Sequence, residues 1–444
     1  MALFPIPTKG IRLKGERNTA AQSIVPIALP RELHIAMRQG NCEAALPVVS
    51  TGDYVKLGQL IGRNASPLSV PVHSSASGRV AAIKREPSQL GGDDLHIVIE
   101  TDGRQSIADS VRPPRINSPT EFLAAVLVSG MVGLGGAGFP MAAKFAPCLK
   151  VEVDTLIING VECEPFLTVD RVTMLAHAGD VVAGARAIMQ WLGIRRAVIC
   201  VARSMKKVHE LFSEMLKGDE SIKVKSISDI YPYGSERILI KQVTGRKLIP
   251  GRIPADVGCL VCNVNSVVKL QHYLATGLPL VSKNVTVDGS AVSYGRNLEI
   301  PVGTRISDVL AFCGGAADGK EPEMILLDGV MMGKKVPDAS YPIIKMNNAV
   351  LFFDRDFAES LGETPCINCG RCLRSCSLSL VPVKIADALK RSDMRTAKAL
   401  GAEICNNCGA CSYVCPARRR LSSVIYEAGQ RIKNERTGAD NERK

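Results

Sequence analysis

The chain has 444 residues, room for two to four domains at roughly 150 residues each. Lys and Arg number 55 against 43 Asp and Glu, a formal charge of +12, with 46% apolar and 22% charged residues. That balance excludes a disordered or collagen-like chain, and 4% aromatic residues with one Trp argue against a nucleic-acid binder that stacks bases.

The 15 cysteines are unevenly placed, eight of them between Cys366 and Cys415. A secreted disulfide scaffold would be short, with cysteines throughout. The opening MALFPIPTKG has no apolar core behind its charges, so no leader peptide is expected. Cysteines are then expected as thiols or metal ligands in a reducing cytosol. No stretch of about 18 consecutive apolar residues occurs, so no membrane span is expected, although the protein could sit on a membrane.

Residues 1–23 are polar and basic and read as an arm. Residues 24–103 carry short β-like runs, GDYVKLGQLIG, SVPVHSSASGRVAAI and LHIVIE, broken by turn residues, which predicts a small all-β module. This segment resembles the barrel-sandwich fold of lipoyl and biotinyl carriers. The turn that would carry a modified lysine reads His73-Ser74-Ser75-Ala76, so a structural role is favoured over a carrier role. A Pro-rich connector opens the next segment, 104–280. There DTLIIN, RAVICVA, IKVKSI and GCLVCNV read as buried strands. Between them 170–193, 205–218, 235–245 and 266–277 have helical spacing, which predicts a parallel sheet with helices on both faces. Residues 281–350 read as a small α+β module with one helix, ISDVLAFCGG, and 351–365 as a link. The 351–430 segment carries the cysteines, and 431–444 ends a basic tail. From Pro416 onward eight basic and four acidic residues supply +4 of the charge.

The cysteines form two runs, Cys366, Cys369, Cys372, Cys376 and Cys405, Cys408, Cys411, Cys415, each C-x2-C-x2-C-x3-C, and Pro416 follows the last. A cubane needs four thiolates at tetrahedral corners. Two-residue gaps let one loop supply three, and the fourth cysteine of each run reaches the other cluster. The spacing therefore assigns Cys366, Cys369, Cys372 and Cys415 to one 4Fe-4S cluster and Cys376, Cys405, Cys408 and Cys411 to a second. Two zinc ribbons would need only paired C-x2-C motifs. Ser377 stands where proline usually follows the fourth cysteine.

Residues 133–138 read Gly-Leu-Gly-Gly-Ala-Gly, formally G-x-G-x-x-G, but a helix-like segment precedes them and the strand follows. The dinucleotide fingerprint needs the opposite order. What remains is a glycine turn whose N–H groups suit a phosphate or a flavin edge, or else a close-packed turn, ahead of a helix bearing Lys144. Asn159 to Glu164, Tyr231 to Glu236 and Cys262 to Ser266 fall at strand ends, where parallel sheets bind ligands.

The motifs GLGGAGFP (133–140) with Lys144, NGVECEP (159–165), Asp170-Arg171, YPYG (231–234), PADVG (254–258) and the doubled cysteine run together resemble the RnfC family, part of the Rnf ferredoxin:NAD oxidoreductase complex. The resemblance covers nearly the whole chain, and the middle is similar to the flavoprotein of respiratory complex I. It implies FMN held by Gly133, Gly135, Gly136, Gly138, Lys144, Asn159, Glu162, Glu164, Gly234 and Asn263. It also implies NAD(H) stacked on the flavin beside Glu164, and a β-grasp SLBB module over 281–350. Integral membrane and iron-sulfur subunits of an Rnf-type complex are implied as partners, ferredoxin indirectly, on the cytoplasmic face of the inner membrane. Lys9-Gly10-Ile11-Arg12-Leu13 departs from the family's Gly-Gly-Ile-His-Pro start.

Three roles follow: an electron-transfer member of an ion-translocating complex, a soluble relative serving cobalamin or an amino-acid reductase, or an iron-sulfur wiring protein without flavin turnover. The basic tail reads equally as a solvated end, a contact with anionic lipid, or a docking face for an acidic ferredoxin. Cys259 and Cys262, three apart on a strand, should face opposite ways and pack rather than bind metal. Cys163 lies between two acids that raise its pKa, against a reactive thiolate.

Overall fold

The computed structural model describes residues 10–13, 16–249, 251–358 and 362–441, with side chains to Asn434. At its centre four parallel strands lie in the order Ile222–Ile227, Arg196–Ala202, Thr155–Gly160, Cys259–Asn263. Leu156, Ile157 and Ile158 are fully buried because successive side chains enter cores on opposite faces. Cys262 joins one of those cores and Cys259 the other, as their spacing predicts. The register sets Asn159 beside Asn263 at the carboxyl ends of neighbouring strands.

The stretch 170–193 is two helices, Val169–Ala176 and Ala178–Leu192, broken at His177, whose φ of −126° and ψ of 34° leave the helical region. The helix Pro119–Val128 precedes the glycine loop, and the short helix Met141–Phe145 follows it.

The N-terminal β module closes over Leu33, Ile35, Ile61, Val80, Ile97 and Ile99. Ser74 and Ala76 are 0% exposed, so the carrier-like turn has no face to present a modified group. Ile24–Pro26 does not belong to this module. It pairs in parallel with Arg296–Pro301, at the edge of a six-stranded sheet. That sheet also takes in Ala349–Phe353, so the module placed at 281–350 runs past the expected link.

The expected arm is not a loose lead-in where it is described: Ile11 pairs with Tyr231, and Thr19 is fully buried. Residues 1–9 of the arm lie outside the described residues. The expected tail at 431–444 also changes. The helix Leu421–Asn441 runs through its start and buries Ile425 and Ile432 against the cysteine domain; 442–444 lie outside the described residues.

Candidate functional site

The glycine loop closes on itself: the N–H of Gly133 donates to the Phe139 carbonyl (2.8 Å) and that of Gly138 to the Gly133 carbonyl (3.1 Å). Gly138 has φ +60°, and a Cβ there would lie 2.7 Å from the Cα of Gly40, so only glycine fits. Leu134 is buried and held at both ends. Its N–H donates to Ser266 Oγ (2.9 Å) and its carbonyl accepts from Lys283 Nζ (2.8 Å). Gly135 and Ala137 are exposed, and the N–H groups of Gly135, Gly136 and Ala137 have no acceptor among the described residues. Successive free N–H groups in such a turn form an anion-binding concavity.

Around the loop, the strand ends supply a connected polar floor. Asn159 Nδ2 donates to the carbonyl of Gly234 (2.8 Å). Asn263 caps its helix by accepting the N–H of Asn265 and donates to Asp170 Oδ2 (2.8 Å). Asn263 also lies 3.2 Å from the Cβ position of Gly135, which joins the loop to this floor. Lys144 Nζ sits 2.6 Å from Glu236 Oε1. Burial opposes its charge, but the Glu236 carboxylate more than offsets this and holds its pKa above the usual lysine value.

Glu162 sits at φ +40°, with a carboxylate taken up inside the chain. Its Oε1 accepts the N–H of Asp170 (2.7 Å) at the start of a helix, and Arg17 donates to its carbonyl (2.7 Å) and faces its Oε2 at 3.4 Å. Burial, then the nearby Asp170, raise the pKa of Glu162; burial also raises that of Asp170. Glu164 accepts the N–H groups of Met331 and Met332 (both 3.1 Å) and faces the Tyr231 hydroxyl at 3.4 Å. Burial pushes it up to about 7. Cys163 is pushed up to about 12 by burial and by Glu164, which leaves it an unreactive thiol.

The loop, Lys144, Asn159, Glu162, Glu164, Gly234 and Asn263 thus lie in one connected region. Arg17, Lys283, Asp328 and Asn348 escape sequence reasoning. Lys283 is fully buried, and Asn348 Oδ1, near Gly136, is buried without a partner among the described residues. Lys283, Asp328 and Asn348 give only the local signal of a charged or amide residue inside an apolar strand or at its end, and Arg17, in irregular chain, gives none.

The eight cysteines of the two runs separate into two sets of four, none of them in a disulfide. Cys366, Cys369, Cys372 and Cys415 line a cavity of about 630 Å³ that includes open solvent. Cys376, Cys405, Cys408 and Cys411 line another of about 360 Å³. The two loops have the same backbone. Asn368 and Asn407 are left-handed (φ 53° and 55°), and Gly370 and Gly409 repeat that turn after the second cysteine of each run. Asn and Gly are the residues that tolerate this region, and the alternation curls the chain around a centre. Backbone N–H groups of Asn368 and Leu380 approach the sulfurs of Cys366 and Cys376 at 3.4 Å, as iron-sulfur ligation favours. Ser377 leaves its buried hydroxyl without a partner among the described residues.

The two sites meet. The Tyr231 hydroxyl donates to the carbonyl of Cys408 (2.6 Å), and Asn406 Nδ2 donates to Ser235 Oγ (3.1 Å).

Comparison with known proteins bears on each domain. Residues 7–104 match the family described as the RnfC barrel sandwich hybrid domain, and 126–272 the Nuo51 FMN-binding domain. Residues 284–335 match the SLBB domain and 365–418 the 4Fe-4S dicluster domain. A relative from the proton-translocating ferredoxin:NAD(+) oxidoreductase complex of Clostridium ljungdahlii is 34% identical over 371 residues, covering 83% of this chain and 80% of that one. Its counterpart from the Na(+)-translocating complex of Acetobacterium woodii is 34% identical over 369 residues, covering 82% of each. The counterpart from the ion-translocating oxidoreductase complex of Rhodobacter capsulatus is 32% identical, covering 85% of this chain and 73% of that one. A solved NAD+-reducing NiFe-hydrogenase superposes with a TM-score of 0.49 at 19% identity over 64% of this chain and 54% of that one, too loosely to carry an argument. The central domain is an FMN-binding domain and the cysteine block a 4Fe-4S dicluster domain.

Proposed function

The chain belongs to the RnfC family of ion-translocating ferredoxin:NAD oxidoreductase complexes, and from that premise we propose that it relays electrons between NAD(H) and the membrane partners of such a complex. FMN, when bound, supplies the exchange between a two-electron hydride donor and one-electron carriers. This chain's own residues bind and orient. The free N–H groups of Gly135 to Ala137, with Gly133, Gly138 and Lys144, would hold the anionic end of the flavin. Asn159, Gly234 and Asn263 form the polar floor beneath it. Glu162 fixes the strand end by binding the helix start at Asp170. Glu164 borders the place proposed for NAD(H).

The observation that carries this reading is the bond from Tyr231 to Cys408. It joins the flavin region to the loop of the second cysteine set, so that set would exchange electrons with the flavin. The first set, with Cys366 and Cys369 exposed, would face the partner. No helix among the described residues is long and apolar enough to cross a membrane. A peripheral place on the cytoplasmic face of the inner membrane, beside integral and iron-sulfur subunits with ferredoxin as a more distant donor, fits that finding.

The test is anaerobic reconstitution with FMN, iron and sulfide. One FMN per chain, bleached by NADH, is expected. A chain that takes up both clusters but no FMN would refute the proposal. Copurification with integral membrane subunits separates this role from that of a soluble reductase.

A further inference from the structure

Lys283 comes from the strand Ser282–Asp288 of the SLBB-type module, not from the flavin domain, and it is 0% exposed. A buried ammonium is costly unless it is bonded. The one acceptor it reaches among the described residues is the carbonyl oxygen of Leu134, at 2.8 Å. Asp170 and Asp328 lie near enough to favour its charge, while burial lowers its pKa to about 8.

In a planar trans peptide the carbonyl of one residue and the N–H of the next point in opposite directions. With the Leu134 carbonyl turned inward to Lys283, the N–H of Gly135 must point outward, on the side where Gly135 and Ala137 are exposed. Without the lysine this peptide could turn over at low cost, because Gly135 accepts either sign of φ. Turned over, it would present a carbonyl oxygen to an anion.

We propose that Lys283 is a positioning residue that locks the Leu134–Gly135 peptide from the neighbouring module, so that the glycine loop keeps its N–H groups toward the phosphate of the flavin nucleotide. The proposal rests on the flavin-site reading given above. It makes docking of the SLBB-type module a condition of phosphate recognition. Ser266, which accepts the N–H of Leu134 at 2.9 Å, holds the other side of the same residue.

Lys283→Met keeps most of the apolar stem of the side chain and removes its donor. FMN and riboflavin are titrated separately into the flavin-free chain carrying both clusters, by quenching of flavin fluorescence. The phosphate-free ligand reports on the rest of the site. Affinity for FMN should fall roughly 10- to 100-fold, as for loss of one hydrogen bond to a charged group, with riboflavin affinity unchanged. Ser266→Ala, a milder change, should lower FMN affinity selectively by a smaller factor. Equal losses of both ligands in both variants, or unchanged FMN affinity in Lys283→Met, would overturn the proposal. If the unaltered chain binds neither flavin, the flavin-site reading itself fails.

Discussion

The hydroxyl of Tyr231 and the carbonyl of Cys408, 177 positions apart in sequence, form a 2.6 Å hydrogen bond that ties the rim of the flavin region to a cluster loop. The same hydroxyl faces Glu164, and Met331 brackets the contact: a Cβ on Gly409 would lie 2.8 Å from its carbonyl. The joint is tight on both sides.

Tyr231→Phe keeps the ring and removes this bond. The expected cost is about 1 kcal/mol of stability, with a shift in the potential of the cluster served by Cys408, because hydrogen bonding near the ligands tunes such clusters. Spectroelectrochemistry on the reconstituted chain measures it, and an unchanged potential for both clusters would show that the bond is only mechanical.

Arg17 holds the buried end of Glu162 and also donates to the carbonyl of Leu167 at 2.9 Å. Arg17→Ala would leave the carbonyls of Glu162 and Leu167 without this donor and remove the cation beside the Glu162 carboxyl. A loss of about 2 kcal/mol is expected, in the range for hydrogen bonds from a charged group, and a lowered urea midpoint would show it. A loose arm at 10–23 would predict no change.

Glu164 carries a pH signature. Its pKa is about 7 in the fold against an ordinary 4.5. The folded state therefore holds the proton more tightly, and stability is highest below the ordinary value and falls as pH rises from 4.5 to 7. Asp328, raised to about 6 by burial, adds to the same slope. Glu164→Gln should flatten part of that fall, by about 3 kcal/mol, in urea unfolding curves followed from acid to neutral pH. A slope identical to that of the unaltered chain would rule out the buried carboxyl as its source.

Local spacing explains what was legible beforehand. The cysteine runs needed only residue identity and interval, and their two interleaved sets line two separate cavities. The four parallel strands were legible because Val, Ile and Leu recur in short runs between turn residues. What stayed hidden depends on partners far along the chain. Ile24–Pro26 looks like any short β run, and its partner begins at Arg296. Lys283 reads as a polar residue at the head of a strand until folding sets it under Leu134. Glu162 is implied as a flavin residue by the resemblance alone; that its carboxyl also accepts the Asp170 N–H and faces Arg17 only the three-dimensional arrangement reveals.

The carriers stand in an order in this proposal, with the Cys376, Cys405, Cys408, Cys411 set between the flavin region and the exposed set. The most direct measurement is freeze-quench EPR of the reconstituted chain after mixing with NADH, in Cys411→Ala and Cys366→Ala variants. Each variant should lose one cluster, which iron content verifies. Cys366→Ala should still show NADH-dependent reduction of its remaining cluster, whereas in Cys411→Ala the remaining cluster should stay oxidised on the same timescale. Reduction of the remaining cluster in Cys411→Ala as fast as in the unaltered chain would contradict it.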